Sequence, residues 1–184
     1  VTNPCCFRSS SATIMHGKGR KINPLRELRF PHSVGLLYSA FTYFLGFKVN
    51  SGEYKLMGMA PYGDPTSPNV QLYKDKILKH IMELKDDGSI FLNQDYFEYA
   101  TGLRMIHDGK WEKLFGFPTR PPEGQMEQHH CDLAMAIQQI HDEIVIRLAK
   151  EAKRLTGAKN LCLAGGSALN CVSNGKVLKA GIFD

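Results

Sequence analysis

The chain has 184 residues, of which 43% are hydrophobic and 22% are charged, and its formal net charge is +5. This balance is typical of one globular domain, with or without an insertion. The basic residues are scattered and form no stripe with interleaved aromatic residues, so no nucleic-acid interface is expected. No apolar run approaches the roughly 18 residues that cross a bilayer, and no secretory leader is recognisable. A cytoplasmic protein without membrane contact is therefore predicted.

The five cysteines show no CxxC spacing, which argues against a zinc or redox motif. Cys5 and Cys6 are adjacent, whereas Cys162 and Cys171 flank a predicted buried turn and are interpreted as small core residues. Reduced thiols are expected in a cytoplasmic protein. The chain begins with Val1 rather than Met, and we expect it to be a segment of something longer.

The first part of the chain predicts a hairpin, a helix and a packed loop. Residues 12–16 and 20–25 flank a glycine-rich turn, which is a hairpin pattern. Apolar residues within 32–45 recur at helical spacing and predict a helix with one buried face, ending at Gly46. The glycine- and proline-broken stretch 47–65 predicts a packed functional loop with a short helix at 54–59.

The middle of the chain predicts less regular structure. Residues 70–85 have helical spacing and are followed by Asp86-Asp87-Gly88, which is expected to end that helix, and residues 89–92 predict a short strand. Residues 95–125 carry the single tryptophan, several phenylalanines and a proline-rich turn. We expect this stretch to be an aromatic-rich surface insertion with little regular structure.

The last third gives the clearest pattern. Apolar residues recur at three- and four-residue spacing from 126 to 156 and predict a long helix that ends at Gly157. A buried strand at 160–164, a Gly-Gly turn and a helix at 167–180 are predicted to follow. Helices alternating with short strands indicate the α/β class.

The first candidate site is the segment LCLAGGSALNCVSNGK. Gly165 and Gly166 would let the backbone approach a ligand closely, and the start of a helix would present free N–H groups to a phosphate. Asn170 and Asn174 share one helix face and could reach a base or a sugar. A bare Gly-Gly is also typical of a tight turn with no ligand. The segment is neither a GxGxxG motif nor a P-loop, since Lys176 comes too late.

The second candidate site is the loop SGEYKLMGMAPYG, in which Glu53 and Lys55 stand among apolar and glycine residues. Charges in such a loop either pair or face a ligand, although an exposed pair at a loop tip is an equally ordinary arrangement. Neither HxxxH nor HExxH, the spacings that would indicate a metal site, occurs in the sequence. His141-Asp142-Glu143 is interpreted as the polar face of the long helix, and Ser167 as a helix N-cap rather than a nucleophile.

Two segments together resemble a known family. FPHSVGLLYSAFTYFLGFKVNSGEYKLMGMAPYGDP and NLCLAGGSALNCVSNGKVLKAGIFD are similar to the NodU/CmcH-like O-carbamoyltransferases of nodulation and antibiotic tailoring, from about Ser33 to Asp184. The resemblance implies an α/β fold, namely part of an actin-like, sugar-kinase-like (ASKHA, Kae1-like) domain. Residues 1–184 would be the second half of that nucleotide-binding domain, with a helical and irregular insertion at about 66–125.

The resemblance also implies an activity. Such enzymes use ATP and carbamoyl phosphate to form carbamoyladenylate and then pass the carbamoyl group to a hydroxyl of a sugar or other small molecule. Gly165, Gly166 and Asn170 match the family's nucleotide turn, although Ser167 stands where the family usually has Val. Glu53 and Lys55 lie in the matching EYK loop, which implies that Glu53 contacts the cofactor and Lys55 adds catalytic positive charge.

The resemblance places the metal outside this chain. A divalent metal, iron or magnesium, is expected in the full-length enzyme, with HxxxH ligands upstream and an aspartate downstream. The missing parts of the polypeptide are then the expected partners, and the fragment alone is expected to be inactive. Two alternatives stay open, namely another actin-like ATP-binding enzyme (a sugar kinase or a tRNA threonylcarbamoyl transferase) and a non-catalytic interaction domain.

Overall fold

The computed structural model of the chain describes residues 9–122 and 124–184. Cys5 and Cys6, noted above, lie outside the described residues. The architecture is mixed α/β, with helices and two small antiparallel sheets of two strands each among these residues. The strands are β1 (Ser10–Lys18), β2 (Lys21–Arg29), β3 (Met82–Leu84) and β4 (Ile90–Leu92). The helices are α1 (Val34–Phe44), α2 (Glu53–Met59), α3 (Pro68–Lys76), α4 (Asp108–Phe115), α5 (Gln128–Thr156) and α6 (Cys171–Lys179).

The predicted hairpin is confirmed, with longer strands than expected. β1 and β2 pair antiparallel, and Lys18 lies opposite Lys21. The turn is therefore Gly19-Arg20, and Gly19 has the positive φ of 60° that a two-residue hairpin loop requires. Most of β2 is exposed to solvent.

Helix α1 and helix α5 form the centre of the core. The Ser33 side chain caps α1 by accepting a hydrogen bond from the N–H of Leu36, 3.2 Å away. Phe41 and Phe44 of α1 are fully buried. Helix α5 runs the length predicted from its periodicity and ends at Gly157, whose φ of 61° is the left-handed conformation of a C-terminal glycine cap.

The expectation of a surface insertion at 95–125 is wrong. Trp111 of α4 is fully buried, and its ring centroid lies 4.7 Å from that of Phe41. Phe97 and Phe115 are also buried against this tryptophan. Aromatic rings remove 150–250 Å² each from water when buried, so a segment rich in them packs on the core wherever the chain allows.

The helix predicted at 70–85 is shorter than expected. Helix α3 ends at Lys76 and a π-helical turn follows over Ile77–Ile81. The residues after it form β3, which pairs with β4. The segment 86–88 is therefore a hairpin turn rather than the end of a helix, and Gly88 takes the positive φ of 82° within it.

The buried strand predicted at 160–164 is absent from the described structure. These residues have no regular secondary structure, are mostly exposed, and pair with no described strand. A strand needs a neighbouring edge to satisfy its backbone groups, and both small sheets lie elsewhere in the chain. The cysteines beside the turn, Cys162 and Cys171, are consequently exposed and free, so their interpretation as core residues is also wrong.

No helix within residues 9–122 and 124–184 combines the length and the apolar character that a membrane crossing would require.

Candidate functional site

A cleft of about 570 Å³ separates three parts of the chain. One wall is the first half of α1, the second is the 50–57 segment with the start of α2, and the third is the turn that follows the Gly-Gly pair. Helix α5 contributes the floor through His141. The lining residues are Ser33, Gly35, Leu36, Tyr38, Ser39, Asn50, Ser51, Glu53, Tyr54, Met57, His141, Gly166, Ser167, Leu169 and Asn170.

Glu53 is the first residue of α2 and lines this cleft. Its carboxylate accepts hydrogen bonds from the Ser39 hydroxyl at 2.8 Å and from the N–H of Asn50 at 2.9 Å. Burial by itself raises the pKa of Glu53, but the hydrogen bonds from Asn50, Ser39 and the backbone of the helix start outweigh it and lower the pKa below its ordinary value. The carboxylate is therefore charged and held in one orientation at the cleft wall.

Lys55 lies apart from the cleft. Its side chain is exposed and it does not line the cavity, although it is only two residues from Glu53. Successive helical positions point in different directions, so the two charges diverge. The catalytic role predicted for Lys55 stays a prediction, and the structure places this residue outside the group formed by Glu53, Gly166 and Asn170.

The Gly-Gly pair forms a turn with open space around it. Gly165 has φ 99° and ψ 174°, a conformation that L side chains rarely adopt. A Cβ atom on Gly165 or Gly166 would meet no described atom within 4 Å. Gly166 borders the cleft, so a ligand in the cleft can approach the backbone of this residue.

The helix expected directly after this turn starts later than predicted. Gly166–Leu169 is a short 3₁₀ turn, and α6 begins at Cys171. The N-cap of α6 is Asn170, whose side-chain oxygen accepts from the N–H of Ser173 at 3.1 Å. The interpretation of Ser167 as the N-cap is therefore wrong, and the helix-dipole argument for phosphate binding directly at the glycines does not apply.

Asn170 lies at the junction of the cleft and the core. Its Nδ2 donates to Gln138 Oε1 at 3.1 Å, and the same oxygen accepts the Tyr38 hydroxyl at 2.7 Å. Asn174, predicted to share its ligand-facing surface, instead donates to the backbone carbonyl of Ala168 at 2.7 Å. Asn170 thus borders the cleft while its amide holds helices α5 and α6 together.

A buried polar network continues below the cleft. The Ser173 hydroxyl donates to Asp142 Oδ1 at 2.6 Å and lies 2.8 Å from His141 Nδ1. Lys176 forms an ion pair with the other Asp142 oxygen. His141 and Asp142 are each only 3% exposed, so their interpretation as a polar face in solvent is wrong. Only Glu143 of that triplet is exposed.

Sequence reasoning missed Gln138, His141 and Ser173 as site residues. A usable signal was present, because Gln138, His141 and Asp142 follow the i, i+3, i+4 spacing of the apolar face of α5. Polar residues within an apolar stripe indicate a buried network. Their partners on α6 are more than 30 positions away in sequence, and local spacing does not reveal them.

The described residues do not fit a metal. Within residues 9–122 and 124–184, no group of three His, Cys, Asp or Glu side chains lies together as a metal site requires. We therefore assign no step through a metal to these residues.

Comparison with known proteins gives concordant matches. A family model described as Carbamoyltransferase N-terminus matches residues 6–184. An uncharacterized protein of Synechocystis sp. is 50% identical over 174 residues, 95% of this chain and 27% of the relative. Nodulation protein NolNO of Sinorhizobium fredii is 35% identical over 95% of this chain and 23% of its own length. Nodulation protein NolO of Bradyrhizobium diazoefficiens is 34% identical over 91% of this chain and 27% of its own length. The chain thus spans about a quarter of the length of the curated relatives that it matches.

Proposed function

The chain belongs to the carbamoyltransferase family as part of its N-terminal region, and from this premise we propose that it forms the nucleotide-binding part of an O-carbamoyltransferase. In the full-length protein, ATP and carbamoyl phosphate would give carbamoyladenylate with release of pyrophosphate and phosphate. A hydroxyl on a sugar or another small molecule would then receive the carbamoyl group as AMP leaves. The fold of this part would be half of an actin-like domain. The observation that carries the proposal is the family match over residues 6–184 together with the Gly166 cleft.

The cleft has the chemistry of a nucleoside site. Its volume of about 570 Å³ lies within the range of small-molecule pockets. Tyr38, Leu36 and Met57 supply apolar surface for a base, whereas Glu53 supplies a fixed acceptor for a hydroxyl or an amine. The open side of Gly166 lets a ligand approach the backbone without meeting a Cβ atom.

The residues of this chain would act by binding and orientation. Holding the nucleotide against a rigid wall positions its reacting atoms before the reaction takes place. The entropic cost of bringing the reactants together, which is a large share of the barrier in group transfer, is then met by binding. Enclosure of the mixed anhydride protects it from water, and the remainder of the polypeptide is expected to complete the enclosure of the cleft. Lys55 would contribute only if that remainder brings a phosphate to its exposed side.

The test uses the full-length protein. Pyrophosphate release from ATP should require carbamoyl phosphate, and the carbamoyl group should appear on a hydroxylated acceptor when one is supplied. Pyrophosphate release that ignores carbamoyl phosphate would exclude the carbamoyltransferase assignment. An absence of any ATP-induced thermal shift at millimolar ATP would favour a non-catalytic domain, since ligand at 100 times its dissociation constant stabilises by about 2.7 kcal/mol.

A single substitution tests the cleft itself. Gly166→Val in the full-length protein should abolish ATP binding without lowering the melting temperature, because a Cβ atom at this position meets no described atom within 4 Å and the residue lines the cleft. Gly17→Val is the matched control, since Gly17 also has open space but lies in the β1–β2 hairpin. Ser167→Val should be tolerated. Unchanged ATP affinity in Gly166→Val would remove the Gly-Gly turn from the site.

A further inference from the structure

His141 is the one imidazole that borders the cleft, among the residues that the structure describes. It lies in the middle of α5 and is 97% buried, since only 3% of its surface is accessible. A buried polar side chain normally has a partner for each polar atom. Its Nδ1 has such a partner in the Ser173 hydroxyl at 2.8 Å.

The second ring nitrogen, Nε2, has no hydrogen bond to any described residue. His141 lines the cleft and its Nδ1 is turned toward Ser173, so we take Nε2, on the other side of the ring, as the nitrogen that faces the cleft.

The tautomer of His141 follows from its neighbours. The Ser173 hydroxyl has one proton, which it donates to Asp142 Oδ1 at 2.6 Å. Its oxygen can then only accept from His141, so the imidazole proton is on Nδ1. Burial lowers the pKa of His141 to about 4 despite the adjacent Asp142 carboxylate, so the ring is neutral at physiological pH. Nε2 consequently presents a lone pair to the cleft.

The ring is also fixed in orientation. The edge of the Tyr38 ring packs against the imidazole, with centroids 5.1 Å apart and an interplanar angle of 66°. Ser173 fixes Nδ1, and Asp142 is in turn held by Lys176. A preoriented acceptor of this kind suits recognition of one donor group, because little rotamer freedom is lost on binding.

We propose that His141 is a nucleotide-positioning residue whose Nε2 accepts a hydrogen bond from a donor group on the nucleoside of bound ATP. This inference rests on the proposed function, which puts a nucleotide in the cleft. The donor is a ribose hydroxyl or the adenine amino group, since these are the donors that a nucleoside carries. Glu53, on the wall formed by the 50–57 segment, adds a second acceptor.

Two substitutions separate the two ring nitrogens. The amide of His141→Asn can replace Nδ1 and keep the bond to Ser173, but it leaves nothing at the position of Nε2. The amide of His141→Gln reaches the position of Nε2 but no longer donates to Ser173, which keeps only the longer hydrogen bond from Gln138 Nε2 at 3.3 Å. A residue that only holds α5 and α6 together should tolerate Asn better than Gln. A residue that binds the nucleoside should tolerate Gln better than Asn.

The experiment is ATP binding to the full-length protein by calorimetry, with melting temperatures recorded for each variant. We expect His141→Asn to weaken ATP about tenfold, near the upper end for one net hydrogen bond, and His141→Gln to weaken it less. Binding of 2′-deoxy-ATP, 3′-deoxy-ATP and purine riboside triphosphate identifies the donor. One of these analogues lacks the group that donates to Nε2. The wild-type protein should bind this analogue more weakly than it binds ATP, whereas His141→Asn should bind it no more weakly than it binds ATP.

The outcomes separate the two proposals. If wild type binds no ATP, the proposed function fails and this inference fails with it. If wild type binds ATP but Asn is tolerated better than Gln, or no analogue couples to the substitution, the nucleotide site stands and the role of His141 is overturned.

Discussion

Two short segments of this chain place their apolar side chains in opposite environments. In α4 the side chains of Trp111 and Phe115 are enclosed, whereas the segment 160–164 beside the Gly-Gly turn is irregular and largely exposed, with Leu163 46% accessible. Both segments are bordered by glycines in the sequence, and the more apolar of the two, 160–164, is the exposed one.

The difference comes from whether a covering element exists nearby. Trp111 packs on Phe41 and Phe44 of α1, with ring centroids 4.7 and 5.3 Å away, and its Nε1 donates to the Tyr96 carbonyl at 2.9 Å. Residues 160–164 have no described strand beside them. An apolar pattern indicates that a segment is more stable when it is buried. The tertiary structure decides whether another element covers that segment.

The largest expected effect is at the enclosed segment. Trp111→Ala should lower the free energy of unfolding by about 3–5 kcal/mol, since it removes a fully buried ring and leaves a cavity among aromatic side chains. Urea denaturation of the purified protein followed by circular dichroism measures this. Leu103→Ala is the control, because Leu103 is fully exposed and should change the free energy by less than about 0.5 kcal/mol. A Trp111 effect no larger than that of the control would contradict the packing described here.

A smaller effect is expected where the exposed segment meets the core. Asn170→Ala should cost roughly 1–3 kcal/mol, since it removes the N-cap of α6 and leaves Gln138 Oε1 with one donor fewer. Asn174→Ala, four residues later, removes only one bond to the Ala168 carbonyl and should cost less. Thermal and urea unfolding of the two variants test this ranking, and equal losses would argue against Asn170 as the link between α5 and α6.

The smallest effect is expected within the exposed segment itself. Leu163→Ser should change the free energy of unfolding by no more than about 0.5 kcal/mol because the side chain is half exposed. Leu133→Ser, at a fully buried leucine of α5, should cost at least about 2 kcal/mol in the same measurement. A large loss at Leu163 would mean that another part of the protein covers residues 160–164, and the contrast with Trp111 would disappear.

Local pattern predicted the helices well where one face repeats over many turns. Helix α5 and its C-terminal Gly157 follow from apolar spacing and a glycine. The same reasoning identified the loop of Glu53 and the turn of Gly166, which the structure brings to one cleft together with Asn170. It did not separate Lys55 from this group, because which of two helical positions faces the cleft depends on how the helix packs.

Long-range pairing explains the failures. The helix expected directly after the Gly-Gly pair begins at Cys171 instead, since Asn170 is held by Gln138 on another helix and acts as the cap. Gln138 and Asn170 are 32 positions apart, and His141 and Ser173 are also separated by 32. No window of local sequence contains both members of either pair.

The sequence by itself determined helices α1 and α5, the glycines at which they end, and which family the chain resembles. These properties depend on residues within a few positions of one another or on long motifs read directly. Only the tertiary structure decided that Trp111 is enclosed, that residues 160–164 pair with no described strand, and that His141 lines a cleft. Burial and hydrogen-bond partnership depend on which surfaces meet, and that is set by the packing of elements far apart in the chain.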